Sequence, residues 1–224
     1  MAESRTRRSE RRREPLSRER IVEAAIELLD AEGEGGLTFR ALARRLSTGP
    51  GAIYWHVTGK DELLVAATDA VVADIMTVGA EGAAPQEAVR ALALGVFDAI
   101  DVHPWIGTQL ARAPAQTPLL RVFEHLGRQV QALGVPQAAQ FTAASTLLNY
   151  VLGVGGQNAA NARDHQPGTT REEFLGDVAT TWANLDPEEY AFTRNVADQL
   201  RDHDDREEFV AGIDLILAGI TARR

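Results

Sequence analysis

The segment from residue 37 to residue 64, LTFRALARRLSTGPGAIYWHVTGKDELL, carries closely spaced signals for the start and the end of helices. Thr38 can cap a helix through its hydroxyl, and Ser47-Thr48-Gly49 interrupts that helix. Pro50 suits the first position of a second, short helix that would end near His56. A helix-turn-helix consists of two helices joined by a turn of roughly three or four residues that often contains glycine. The spacing of these signals predicts such a motif.

Helices are also predicted on both sides of this motif. Residues 17–32 place apolar side chains at helical spacing, which predicts a first helix. Thr58 with Asp61 fits a capping box, so a long helix is expected to open there and to run over residues 60–78.

Several stretches in this order resemble the DNA-binding domain of TetR-family transcriptional regulators. IVEAAIELLDAEGEGGLTFRALARRL resembles the first two helices of that domain, and YWHVTGKDELL resembles its third helix and the start of its fourth. The resemblance covers residues 17–72 and is nearest to the tetracycline-repressor branch, in which Tyr-Trp-His-Val also occurs. It implies three N-terminal helices for DNA, a connecting fourth helix and a variable helical domain for ligand binding and dimerisation.

The composition predicts an all-α fold. The chain has 224 residues, of which 45% are hydrophobic, and it contains no β-branched runs that would predict strands. Cysteine is absent, which excludes disulfides and cysteine–zinc sites. No secretory signal follows the basic start, and the longest apolar run, residues 141–156, is too short for a membrane span. A cytoplasmic protein that does not enter membranes is therefore expected.

Positive charge is concentrated around the predicted helix-turn-helix. The net charge is −9, but residues 1–60 hold 12 Lys and Arg against 9 Asp and Glu, whereas the remainder holds 11 against 23. The only lysine of the chain is Lys60. The N-terminal part is thus suited to polyanionic DNA, and the acidic remainder would resist non-specific association.

Four regions are predicted along the chain. Residues 1–16 form an arginine-rich tail expected to be disordered, which is either a solvated extension or an arm that adds DNA contacts. Residues 17–60 form the helix-turn-helix domain and residues 61–78 the connecting helix. Residues 79–224 form a bundle of about six helices, judged from its recurrent start signals.

DNA binding requires cations and hydrogen-bond donors for phosphates, with a few groups that reach base edges. Arg40 is the candidate for a base contact, because a guanidinium can bridge the O6 and N7 atoms of guanine. The family resemblance implies that Thr38, Tyr54, His56 and Lys60 hold phosphates. The full set of DNA-binding candidates is Thr38, Arg40, Thr48, Pro50, Gly51, Ala52, Tyr54, Trp55, His56 and Lys60.

Alternative roles remain open for several of these aromatic and basic side chains. Tyr54 could pack the small domain, and Trp55 could be half-buried or face the groove. Arg44 and Arg45 are expected to form a solvated face.

The start of the second helix departs from the tetracycline-repressor pattern. That branch has Gln and Thr for base reading, whereas this chain offers Gly49, Pro50, Gly51 and Ala52. Such small groups can touch a thymine methyl but provide little hydrogen-bond readout, so the operator is expected to differ and DNA shape to matter more.

An effector pocket is expected inside the C-terminal bundle, with apolar walls and a few polar groups. Asn149 and Gln157 stand out, because both are polar in a helix that otherwise reads as buried. The candidates are Phe97, His103, Trp105, Phe123, Asn149, Tyr150, Gln157 and Trp182, although each of them taken singly fits the core better than a pocket. The histidines show no metal-ligand spacing, so neither a metal nor a cofactor is expected.

Two apolar helices, residues 136–163 and 205–222, are the predicted homodimer surface. Phe209, Ile213, Ile216, Leu217 and Ile220 cover more of the last helix than one internal face needs, although an internal core is the competing interpretation. A two-fold dimer would present its recognition helices about one DNA turn apart, on a near-palindromic operator.

These features predict a homodimeric TetR-type repressor released from a double-stranded operator by a small hydrophobic effector. The alternatives are a regulator controlled by another protein and, from a different class, a helical small-molecule carrier without a DNA function. An enzyme is not expected, since no phosphate loop, nucleophile elbow or HExxH motif is present.

Overall fold

The computed structural model describes residues 15–77, 82–112, 116–164 and 170–222, and these residues contain helices and connections but no strand. The predicted all-α fold is confirmed. The arginine-rich tail, predicted as disordered, lies almost wholly outside the described residues. The described helices are α1 (Arg18–Gly36), α2 (Phe39–Arg45), α3 (Pro50–Tyr54), α4 (Lys60–Thr77), α5 (Pro85–Val102), α6 (Trp105–Arg112), α7 (Thr117–Ala132), α8 (Gln137–Asp164), α9 (Arg171–Ala183), α10 (Ala191–Val196), a 3₁₀ helix (Ala197–Leu200) and α11 (Asp205–Thr221).

The chain separates into two compact units, an N-terminal unit of residues 1–67 and a C-terminal unit of residues 68–224. The division falls within α4, the predicted connecting helix. Among the described residues no helix is long and apolar enough to cross a membrane.

The N-terminal unit is built from α1, α2, α3 and the first two turns of α4. α1 packs against α2, and α2 packs against α3. Ile21, Leu42, Ile53 and Leu63 are each at most 1% exposed, so every one of the four helices contributes to the same core. The backbone of α1 leaves helical geometry at Gly33 (φ 66°), a left-handed value that glycine adopts without steric cost.

The C-terminal unit is organised around the long helix α8, which packs against α5, α6, α7 and α11. Phe97 of α5 and Tyr150 of α8 stack on Phe209 of α11, with ring centroids 4.5 and 5.5 Å away. The Tyr150 hydroxyl donates to the Phe209 carbonyl at 3.3 Å, and burial raises the pKa of that hydroxyl. Gly212 permits this approach, because a Cβ there would lie 1.8 Å from the Tyr150 hydroxyl oxygen.

Local capping signals gave mixed results. The predicted capping box of Thr170 and Glu173 is present at the start of α9. α11 is capped by Asp204 and not by the predicted Asp205, since the Asp204 carboxylate accepts from the amides of Arg206 and Glu207.

Candidate nucleic-acid interface

The turn between α2 and α3 is fixed by backbone hydrogen bonds. Thr38 caps α2 as predicted, its hydroxyl accepting from the Ala41 amide at 3.1 Å. At the other end the Thr48 amide donates to the Ala43 carbonyl at 2.9 Å, and the Ser47 amide donates to the Arg44 carbonyl at 3.2 Å. This pair of bonds is a Schellman motif, which places Ser47 in the left-handed region with φ 52°.

Replacing Ser47 with glycine is expected to raise the free energy of unfolding by about 0.5–1 kcal/mol. A non-glycine residue is strained at a positive φ, and the variant removes that strain without touching a buried group, since Ser47 is exposed. Denaturant unfolding measures the difference. Thr48→Gly is the matched control and should not stabilise, because Thr48 has no left-handed backbone.

All ten DNA-binding candidates lie at the surface of the N-terminal unit. Six are exposed and Thr48, Ala52, His56 and Lys60 are half-buried. Trp55 is 90% exposed, which excludes the half-buried interpretation within a single chain. Tyr54 remains 55% exposed while its ring stacks on Phe39 of α2 at 4.3 Å, so it packs the motif and still contributes to the surface.

The side chain of Arg40 is exposed on α2, and its guanidinium forms neither a hydrogen bond nor an ion pair with any described residue. The guanidinium of Arg44 is likewise exposed and without a partner among the described residues, whereas that of Arg45 forms an ion pair with Glu27 of α1 at 2.5 Å. The side chain of Arg40 is therefore available to a ligand without breaking an internal contact.

The first turn of α3 presents very little polar chemistry. Gly49, Pro50 and Gly51 are exposed, and a Cβ added at either glycine meets nothing within 4 Å. Small apolar groups of this kind can contact a thymine methyl but offer no side-chain donor to a base edge. The surface thus combines a bare first turn with flanking groups that can donate hydrogen bonds.

The loop that joins α3 to α4 is tied to the start of α1. The Arg18 guanidinium donates to Glu62 at 2.8 Å and to the His56 carbonyl at 3.3 Å. The other oxygen of Glu62 accepts from both the amide and the hydroxyl of Thr58, each at 2.7 Å. The prediction that Thr58 pairs with Asp61 is wrong by one residue, because the carboxylate of Glu62 reaches back over the first turn of α4 to Thr58.

Lys60 is also engaged within the N-terminal unit. Its ammonium donates to the backbone carbonyl of Glu34, in the segment that follows the Gly33 break. An ammonium carries three donors, so Lys60 can still bind a phosphate while it holds this carbonyl. The contact joins residues far apart in sequence, and no local pattern could have predicted it.

The hydrogen bonds from Thr58, followed by the one from Arg18, lower the pKa of Glu62 to about 2. An acid whose pKa is lower in the folded state stabilises the fold above its unfolded pKa, near 4.5. We expect the stability difference between the wild type and Glu62→Gln to be full above pH 5 and to shrink as the pH falls from about 4.5 to 2. Urea unfolding across this range measures it, and a difference that stays constant with pH would contradict the assignment.

The predicted effector residues are only partly brought together. Phe97 and Tyr150 meet through Phe209 in the stack described above. His103 lies near Trp105 with ring centroids 6.1 Å apart, and Phe123 lies at the edge of Phe141 at the same distance. Trp182 is half-buried on α9.

The expectation of buried amides on α8 is wrong for the single chain. Asn149 and Gln157 are both exposed, because they lie on the face of α8 opposite the buried residues Leu147, Leu148 and Val151. A helix that is apolar over much of its sequence can still carry a solvent-facing side, and α8 does so at these two positions.

The last helix divides between the two interpretations considered for it. Phe209, Ile213 and Leu217 are at most 2% exposed and belong to the core of the C-terminal unit, so they do not form a dimer surface. Ile216 and Ile220 are half-buried, and they line a groove with α8 in which Leu215 is 76% exposed.

A compact arrangement of α1, α2, α3 and the start of α4, with an exposed, donor-bearing α2–turn–α3 surface, defines the N-terminal unit as a helix-turn-helix DNA-binding domain. Family models agree with this class. The model of bacterial regulatory proteins of the tetR family matches residues 21–67, and the tetracyclin repressor-like C-terminal domain matches residues 79–224. The chain belongs to the TetR family of transcriptional regulators, which confirms the resemblance found in the sequence.

Individual relatives agree with this assignment. An HTH-type transcriptional regulator of Saccharopolyspora erythraea is 32% identical over 139 residues, which cover 62% of this chain and 59% of that relative's length. The structure of SCO7222, a TetR from Streptomyces coelicolor, has 63% sequence identity and a TM-score of 0.86, covering 93% of this chain and 99% of that one. ActR of Streptomyces coelicolor in complex with actinorhodin shares the fold, with a TM-score of 0.74 and 24% identity over 93% of this chain and 98% of that one.

Proposed function

We propose that this regulator is a homodimeric repressor that binds a near-palindromic operator and is released by a small, largely hydrophobic effector. The observation that carries the proposal is the surface of α2 and α3, where Arg40, Tyr54 and Trp55 are exposed around a first turn without polar side chains. Residues of these types serve phosphates and base edges, and all three stay exposed in the folded unit.

The division of labour on DNA follows from the side chains available. Arg40 is the group that can bridge O6 and N7 of a guanine. His56 and Lys60 flank the loop after α3 and are assigned to phosphates, which fix the position of the domain without reading sequence. Pro50 and Ala52 are assigned to apolar contact with thymine methyls, so replacing thymine by uracil in the operator should weaken binding.

The proposed dimer surface is the groove between α8 and α11. It has a volume of about 370 Å³ and is lined largely by apolar groups that include Val135, Ala139, Ile216 and Ile220. Leu215 is 76% exposed and extends this apolar groove into a continuous apolar surface, which is typical of an interaction site. A second copy of this chain, packed through the same two helices, would cover it and would bring two recognition helices to one operator.

The proposed route from effector to DNA is α4, a single helix that begins in the N-terminal unit and ends in the C-terminal unit. In the C-terminal unit α4 is held by an ion pair from Asp69 to Arg121 of α7 at 3.4 Å. It also meets α5 closely, because a Cβ at Gly95 would lie 2.5 Å from Ile75. An effector that shifted α5 or α7 would therefore displace α4 and change the spacing of the two recognition helices.

The effector is proposed to be a small hydrophobic molecule bound within the C-terminal unit. The complex of ActR with actinorhodin supports this class of ligand, since a regulator of the same fold accepts a small molecule. We place the effector near the Phe97–Phe209–Tyr150 stack, whose rings are apolar and whose Tyr150 carries a hydroxyl group.

The test begins with selection of duplexes from a random-sequence pool by the purified protein, followed by titration at several salt concentrations. We expect selected sites with two related halves about 10 base pairs apart and an affinity that falls steeply with salt. A panel of small hydrophobic molecules is then added to the complex, and one class should release the DNA. Selection of no common sequence would overturn the proposal, whereas a panel without effect would favour control by another protein.

A further inference from the structure

We propose that Arg18 and Glu62 are positioning residues for DNA binding, which hold the loop between α3 and α4 in the geometry that grips phosphates. The inference rests on the proposed DNA contacts of His56 and Lys60. It assigns a role to two side chains outside the set that contacts DNA.

The pair joins three separate segments of the N-terminal unit. Arg18 is the first residue of α1, and its guanidinium reaches Glu62 in the first turn of α4 at 2.8 Å and the His56 carbonyl at 3.3 Å. Glu62 in turn holds the amide and the hydroxyl of Thr58, both at 2.7 Å. The Arg18–Glu62 pair therefore anchors the loop on both sides of Val57, at His56 and at Thr58.

The charge of Glu62 argues for positioning over direct contact. A carboxylate beside a surface that approaches phosphates is repelled by them, so by itself it opposes DNA binding. Its oxygens are instead engaged by Arg18 and Thr58, and the side chains of Arg18 and Glu62 are 46% and 32% exposed. The contribution expected from Glu62 is a fixed loop, because both of its oxygens are committed to internal hydrogen bonds.

A second tie reaches the other end of α1. Lys60 donates to the Glu34 carbonyl, so α1 holds the loop near its first residue through Arg18 and beyond its break at Gly33 through Lys60. Because α4 begins at Lys60, the start of α4 and the loop that follows α3 are bound to the same helix. A displacement of the start of α4 would then carry this loop with it.

The sign of a charge substitution tests the inference. Glu62→Gln removes a negative charge near DNA, which electrostatics alone predicts to tighten binding. Positioning predicts the opposite, a weakening of about tenfold or more for the full-length protein on its selected duplex. Asp61→Asn is the matched control, because Asp61 lies one residue away, is exposed and has no partner among the described residues. It should leave the affinity unchanged or raise it.

A double-substitution cycle separates the pair from two simpler explanations. If Arg18 only contacts phosphate, Arg18→Met should weaken binding by the same factor with Glu or with Gln at position 62. If the pair positions the loop, Arg18→Met should have much less effect in the Glu62→Gln background.

The dependence of the affinity on salt separates positioning from a loss of stability. Its slope should flatten by about 1 for each phosphate that the variant no longer binds. A fall in stability alone would not change this slope in protein that circular dichroism shows to be folded.

Each failure has a distinct signature. Tighter or unchanged binding by Glu62→Gln, or additive effects in the cycle, would overturn the positioning role while leaving the proposed function intact. A wild-type protein that selects no duplex would instead overturn the proposed function itself.

Discussion

Replacing Arg40 with alanine is expected to abolish selective operator binding while leaving the fold unchanged. A guanidinium that bridges a guanine is worth about 1–3 kcal/mol per half-site, so a dimer with two such contacts loses the difference twice. The fold should not respond, because the side chain of Arg40 is exposed and its guanidinium bonds to no described residue. Fluorescence anisotropy with the selected duplex and with a scrambled duplex measures the affinity and the selectivity together.

Arg44→Ala is the matched control for this substitution. Arg44 lies on the same helix and is also exposed, and its guanidinium likewise has no partner among the described residues. If it contributes only to the cationic surface, its loss should weaken the selected and scrambled duplexes by similar factors and reduce the salt slope. Equal effects of the two substitutions on selectivity would contradict the assignment of base reading to Arg40.

Replacing Leu215 with glutamate is expected to convert the dimer into monomers and thereby to remove operator binding. Leu215 lines the apolar groove between α8 and α11, which the second copy covers in the proposed dimer. An unpaired carboxylate buried there would destabilise the dimer by several kcal/mol. The single chain should remain folded, since Leu215 is 76% exposed within it. Sedimentation equilibrium gives the mass, and circular dichroism gives the helical content.

Leu120→Glu provides the control, because Leu120 is 49% exposed on α7 and does not line the groove. It introduces the same charge and should leave the mass and the DNA affinity unchanged. A Leu215→Glu protein that remained dimeric would place the interface elsewhere on the chain.

The helix starts that could be predicted are those set by neighbouring residues. Thr38 caps α2, Pro50 opens α3, and Thr170 with Glu173 forms a capping box at α9. In each case the donor and the acceptor lie within about three residues, or the φ of proline decides the matter alone. The same reasoning failed by one residue at Asp205 and at Asp61, because adjacent acids compete for the same amides and a local pattern does not rank them.

The residues of the candidate interface could be predicted from the sequence, but the internal contacts that hold them in place could not. The order and the types of its residues indicated DNA binding, and all ten candidates lie at or near solvent. The ties that hold the surface join Arg18 to Glu62 and Lys60 to Glu34. These partners are 44 and 26 residues apart, so no periodicity within a helix relates them.

The amino-acid sequence by itself determined the all-α class, the helix-turn-helix and the bare first turn of its recognition helix, because helix propensity, capping and turn chemistry act over a few residues. Only the tertiary structure decided which apolar side chains form the core. It buried Phe209 and Ile213, exposed Asn149, and opened the groove beside Leu215. The reason is physical: the burial of a side chain depends on which helix packs against it, and that partner is distant in sequence.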